Sequence, residues 1–196
     1  MKKILALCML GAFAFNANAA FISGPDIIAA PLSVEDDTTV NTHQQGFNEQ
    51  QNVTLTSDLA VDGGTISAGT VVSSHMIFLN SKGTTDIFDA NEIWKFDGDI
   101  LGVMSDVGGT LEAASNSLFA APGTTYPGAF ANRGLEGGGD GYTVVGNTLT
   151  LSMHVTEPGD WIRVITVAAV PEPSTYLLFG LGIFGLIAVR KRAQKS

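Results

Sequence analysis

Thr143-Val144-Val145-Gly146-Asn147-Thr148-Leu149-Thr150-Leu151-Ser152-Met153 is the stretch that decides the fold. Two β-rich runs flank Gly146-Asn147, and a glycine-containing pair between such runs predicts a tight antiparallel hairpin. Downstream, residues 161–167 alternate apolar and polar and close the folded region. Upstream, residues 92–96 and 100–104 flank Asp97-Gly98-Asp99, which predicts another hairpin on an Asp-Gly turn. Residues 70–79 are a long β-rich stretch ended by Asn80-Ser81-Lys82-Gly83. Val53-Thr54-Leu55-Thr56 alternates, and Asp62-Gly63-Gly64 is a turn. Residues 21–51 are polar and weakly periodic, which predicts loop around an early strand. The helical candidate is residues 111–119, with Thr110 as its cap and Leu111, Ala114 and Leu118 on one face. Short strands, regular turns and one short helix predict a mostly β fold: a single antiparallel β-sandwich or jelly-roll-like domain.

The two ends differ from this middle. Met1-Lys2-Lys3 is a basic start, residues 4–15 are apolar, and Ala17-Asn18-Ala19 is a small-x-small site for signal peptidase. Residues 1–19 therefore read as a signal peptide, and residues 20–169 as the extracytoplasmic β-rich domain. Cys8, the single cysteine, falls in that leader, so the exported chain is expected to hold no disulfide and to rely on its hydrophobic core. Between residues 20 and 169 only Lys82, Lys95, Arg133 and Arg163 are basic, against 18 carboxylates, a formal charge of −14. That balance excludes nucleic acid, whose phosphates demand a basic face. It suits a solvated exported protein, or one holding divalent cations between carboxylates.

After Ala169 the composition changes again. Val170-Pro171-Glu172-Pro173-Ser174 carries two prolines, which resist helix and sheet and make an accessible spacer. Residues 176–189 are continuously apolar, and as a helix they span about 21 Å, marginal for a bilayer. Arg190, Lys191 and Arg192 follow, and such charge stays on the cytoplasmic side of the inner membrane, leaving the body outside. The order of motif (170–174), apolar helix (175–189) and basic tail (190–196) resembles the PEP-CTERM sorting signal, also called an ice-binding-protein C-terminal domain. The resemblance implies recognition by an exosortase, a membrane-embedded protease that cuts near the motif, and association with exopolysaccharide in biofilm-forming Gram-negative bacteria. Gly69-Thr70-Val71-Val72-Ser73-Ser74-His75, Phe96-Asp97-Gly98-Asp99-Ile100-Leu101-Gly102-Val103 and Arg133-Gly134-Leu135-Glu136 also resemble an extracellular domain found on such tails.

The middle is poor in recognisable chemistry. His43, His75 and His154 form no HExxH or His-rich cluster, and no cysteine helps them, so zinc is not expected. No Gly-x-Ser-x-Gly offers a serine nucleophile. Gly137-Gly138-Gly139 lacks the lysine and following helix of a phosphate loop. Asp86, Asp89, Asn91 and Glu92 are hard oxygen donors at close spacing, the chemistry calcium prefers, although without the glycine and distal Glu of an EF-hand. Tyr126 and Tyr142 are placed in loops, where their rings could stack on a sugar. Thr54/Thr56 and Thr148/Thr150 are ordinary strand alternation rather than an ice-binding array. Arg133 and Arg163, among so many carboxylates, read as structural ion-pair partners.

These readings lead to an exported, exosortase-processed surface or extracellular-matrix protein, non-enzymatic and without a resident cofactor, associated with exopolysaccharide. A carbohydrate- or calcium-binding module is the first alternative. A secreted hydrolase using two carboxylates is the second, and 18 carboxylates would bring some pair together by chance.

Overall fold

In the computed structural model, which describes residues 20–168, Gly146 and Asn147 turn the chain between two antiparallel strands. Gly146 adopts φ 59°, the left-handed conformation that tight hairpins take at glycine. In chain order the strands are β1 (Phe21–Ser23), β2 (Gln45–Asn48), β3 (Val53–Thr54), β4 (Leu59–Val61), β5 (Gly64–Ile66) and β6 (Val71–Leu79). Then come β7 (Ile87–Phe96), β8 (Ile100–Met104), the helices α1 (Thr110–Ala114) and α2 (Asn116–Phe119), and β9 (Gly141–Val145), β10 (Thr148–Val155) and β11 (Asp160–Val167). The fold is mostly β, with antiparallel sheets and two short helices among the described residues.

One sheet runs β1-β7-β10-β9, and the other runs β2-β6-β11-β8 with β3 also on β6; β4 and β5 make a separate ribbon. Alternation along β10 sends Leu149, Leu151, Met153 and Val155 into the core and leaves Thr148, Thr150, Ser152 and His154 half-buried on the other face. The inward residues join Trp94 and Phe96 of their own sheet and Ile77, Leu79, Val103, Ile162 and Val164 of the other. The two sheets thus face one another across a dry layer, where each large apolar side chain contributes roughly 1.5–3 kcal/mol.

The second sheet is covered on its far face too. Seven of the eight residues of β11 are buried, so the alternation read from its sequence does not mark a solvent face. Ile165 packs with Leu55, Val72, Met104 and Phe119, while Trp161 packs with Val34, Phe47, Met76, Phe78 and Ala121. The short helices and surrounding loops form this outer cover. It turns Arg163, between Trp161 and Ile165, into a fully buried cation.

Four expectations change. Asp97-Gly98-Asp99 does not close a hairpin, because β7 pairs with β1 and β10 whereas β8 pairs with β11. The chain crosses there from one sheet to the other. Val167 N–H donates to the Asp99 carbonyl (2.9 Å) and Ile100 N–H to the Gly146 carbonyl (3.0 Å), and a Cβ on Gly98 would collide with the Val167 carbonyl. An Asp-Gly turn signals reversal but not which sheet receives the next strand; burial of Phe96 and Val103 from opposite sheets decides that.

The helix over 111–119 is broken at Ser115, giving α1 and α2. Thr110 is not its cap. The Asp106 carboxylate accepts from Thr110 N–H (2.8 Å) and Leu111 N–H (2.9 Å) and so satisfies two of the free donors of α1. Residues 21–51 contain two strands, β1 and β2, rather than one. The expected leader (1–19) and the motif, helix and basic tail (170–196) lie outside the described residues. No helix among the described residues is long and apolar enough to cross a membrane.

Candidate functional site

The strongest charges of the body are spent on the fold. Arg163 projects from the outer face of β11 and forms two hydrogen bonds to Glu49, Nε to Oε2 and Nη2 to Oε1, both 2.7 Å. Its Nη1 donates to the Glu112 carbonyl (2.7 Å) and Ser115 Oγ (2.6 Å), and Nη2 donates to Asn116 Oδ1 (2.9 Å). Arg133 pairs with the Glu112 carboxylate and lies 5.5 Å from the centre of the Trp161 ring. Both arginines and both glutamates are buried, two positive charges against two negative. Burial pushes the Glu112 carboxyl up to about 7 against the pull of Arg163 and Arg133. Both arginines are structural ion-pair partners, as their sequence context implied.

Of the residues expected to ligate calcium, Asp89 and Glu92 stand side by side, whereas Asp86 is drawn away to His154. Asp86 turns to the open face of the first sheet, where its Oδ1 meets His154 Nε2 at 2.7 Å and holds that imidazole above its ordinary pKa. Asp89 lies on the inner side, accepting from Gln44 N–H (2.7 Å), and Gln44 in turn accepts from Trp94 Nε1. Glu92 is raised by partial burial and then by Asp89 beside it. Asn91, at φ 59°, forms the irregularity between them and donates its N–H to Ser152 Oγ (2.9 Å). A bulge within β7 shifts the alternation, so spacing along the sequence brings Asp89 and Glu92 together but not all four residues.

The tyrosines are also more enclosed than expected. Tyr126 is half-buried beside the Val34–Trp161 cluster, its hydroxyl accepts from Ala121 N–H (3.0 Å), and its ring lies 5.7 Å from the Arg163 guanidinium. Burial, then the nearby Glu49 charge, raises its phenol. Tyr142 is in strand β9 rather than a loop; it donates to Asp62 Oδ2 (3.0 Å), and burial followed by the Asp62 charge pushes it up to about 12. Its strand borders an open groove of about 290 Å³ lined by Asn91, Gly139, Tyr142, Thr143, Thr150 and Ser152.

Separately, the fold gathers three carboxylates absent from the sequence-based expectations. Glu136, Asp140 and Asp160 place one oxygen each within 4.8 Å of the others. Gly137, Gly138 and Gly139, at φ 97°, 75° and 141°, bend the backbone between the first two in a way that side chains with a Cβ resist. Asp140 Oδ1 accepts from His154 N–H (2.5 Å), fixing it to β10 of the first sheet, whereas Asp160 opens β11 of the second. Asp160 is 1% exposed, and burial, then the Asp140 and Glu136 charges, push it up to about 9. Glu136 and Asp140 are raised as well, each chiefly by burial. One buried oxygen of Asp140 and one of Asp160 receive no hydrogen bond from a neighbouring donor, and the two carboxyls stand close enough to share a proton. Asp160 stands 20 positions beyond Asp140, so only the β9–β10 hairpin brings them together.

His75 is a core residue. It is fully buried in β6 against Phe21 and Phe96, with Nδ1 at 2.8 Å from Asn48 Oδ1 and Nε2 at 3.1 Å from Thr166 Oγ1. Burial pulls its pKa down to about 3, so it stays neutral.

Comparison with known proteins assigns the segment after this body. No curated protein and no solved structure matches the chain. A family model described as the PEP-CTERM protein-sorting motif matches residues 169–192, covering Val170, Pro171, Glu172, Pro173 and Ser174 and the basic residues Arg190, Lys191 and Arg192. Such a motif marks an exported protein handled by an exosortase. The chain carries a PEP-CTERM sorting motif, as the order of its proline pair, apolar run and basic cluster indicated.

Proposed function

We propose that this chain is a non-enzymatic surface or matrix protein, cleaved by signal peptidase, processed by an exosortase and held within an exopolysaccharide layer. The sorting motif over residues 169–192 is the observation that carries this reading. Export delivers residues 20–169 outside the inner membrane, and the apolar segment serves as a transient anchor until the exosortase acts. The body suits such a role: its arginines are committed to internal ion pairs, and its exposed charge is overwhelmingly negative. A carboxylate hydrolase has less support, because Asp160, with the most strongly perturbed carboxyl of the triad, is buried away from any substrate oxygen. The test is replacement of Pro171, Glu172 and Pro173 together by alanine in a host with the matching exosortase. The variant should accumulate in the inner membrane while the parent reaches the surface. Equal surface delivery of both would refute exosortase recognition.

A glycan-binding reading is favoured by one feature, the groove lined by the hydroxyl-bearing Thr143, Thr150 and Ser152 beside Asn91, while the Tyr142 hydroxyl is taken up by Asp62. Hydroxyl and amide groups of this kind match the hydroxyls of a sugar. A glycan screen of the purified protein, with and without calcium, checks it: binding that Thr150→Val abolishes supports the groove, and no binding to any glycan removes this reading.

A further inference from the structure

We propose that Glu136, Asp140 and Asp160 form a binding site for a hard divalent cation, calcium being the ion that fits, which clamps the ends of the two facing sheets together. The inference is independent of how the chain is sorted. Three carboxylate oxygens within 4.8 Å are spaced to share one ion rather than to avoid each other. Elsewhere the fold neutralises its buried carboxylates with guanidinium groups, Arg163 on Glu49 and Arg133 on Glu112. Among the described residues no lysine or arginine pairs with Glu136, Asp140 or Asp160, and His154 is the basic side chain whose charge reaches Glu136 and Asp140.

The second observation is the buried, unpartnered oxygen of Asp160, a side chain 1% exposed and directed into the cluster, with a matching unpartnered oxygen on Asp140. A buried acceptor left without a donor costs about 1–3 kcal/mol, and more when charged. Without an ion those two atoms are served by a proton that Asp160 and Asp140 share; a cation takes its place and serves both at once. All three donors are carboxylate oxygens, which calcium and magnesium take and softer metals do not favour. The glycine-rich loop that carries Glu136 and Asp140 is an irregular frame, better matched to the variable coordination of calcium than to the strict octahedron of magnesium. With Asp140 bonded to β10 and Asp160 on β11, the ion would join strands of opposite sheets.

The test uses the full-length chain, purified in detergent and stripped with EDTA. Calorimetric titration with CaCl2 should give saturable heat for about one ion per chain, with MgCl2 weaker. CaCl2 at about a hundredfold excess over Kd should raise Tm by roughly 5–10 °C. Glu136→Gln and Asp140→Asn should lose the heat and the Tm response while melting cooperatively in EDTA. Asp160→Asn should melt at or above the parent in EDTA, since it removes a buried carboxylate, and should not respond to calcium. Absence of saturable heat for either salt up to about 10 mM, beyond the millimolar range of extracellular calcium modules, would overturn the proposal and leave a cluster that shares protons. A calcium response undiminished in both Asp140→Asn and Asp160→Asn would overturn it equally, because the ion would then bind elsewhere.

Discussion

Arg163 and Glu49 meet in a two-pronged pair, with both nitrogen–oxygen distances at 2.7 Å and both side chains wholly buried beneath the outer cover of the second sheet. The pair links β11 to the chain just after β2 and, through Ser115 and Asn116, holds the break between α1 and α2. Breaking it strands a buried charge. Glu49→Gln should therefore destabilise the protein by about 3–5 kcal/mol, measured by urea unfolding. Replacing the pair together, Glu49→Leu with Arg163→Met, should cost markedly less than Arg163→Met alone. A double variant as unstable as the sum of its singles would show that the charges act independently.

His75 predicts a pH dependence. Its folded pKa of about 3 lies below the ordinary 6.5, so between those values the unfolded chain binds the extra proton. The contribution is complete above about pH 6.5 and is lost as pH falls towards 3. Comparison with His75→Gln, which can still bond Asn48 and Thr166 but does not titrate, isolates it. From about pH 7 to about pH 4 the parent should lose roughly 3 kcal/mol more than the variant. Equal losses, followed by denaturant titration at each pH, would place the acid sensitivity in other groups.

The crossing at Gly98 is tested by a methyl group. Gly98→Ala pushes a Cβ against the Val167 carbonyl and should cost about 1–3 kcal/mol, whereas Gly128→Ala meets nothing within 4 Å and should be close to neutral. Thermal melts of the two variants side by side give the comparison. A neutral Gly98→Ala would mean that β7 and β8 can separate without strain.

Asp106 acts as the cap that Thr110 was expected to provide. Asp106→Ala should cost about 0.5–2 kcal/mol, while Thr110→Ala, whose hydroxyl caps nothing, should cost less. Urea midpoints of the two variants decide between them.

The β9–β10 hairpin and the long strand β6 were legible because their signals are local: a glycine-bearing turn and a run of β-formers. The exchange of sheets at Asp97-Gly98-Asp99 was not, since the same turn chemistry serves a hairpin and a crossing. The outer cover hid the role of β11, whose alternating pattern concealed that both faces are dry. For the candidate site the reason is distance along the chain. Asp86, Asp89, Asn91 and Glu92 are close in sequence, but a bulge and two sheet faces keep Asp86 from the adjacent Asp89 and Glu92. Glu136, Asp140 and Asp160 are spread over 25 positions and meet because a hairpin and a glycine loop fold them together. The sorting motif lay open to reading because it works as a linear signal, with each part next to the last.

The most direct test of the central claim is the intact mass of the mature protein recovered from the surface or matrix of its native host. Signal peptidase followed by exosortase processing predicts a chain that starts at Ala20 and ends near residues 170–174, without the apolar run and the basic tail. A mature chain that still ends at Ser196 would contradict it.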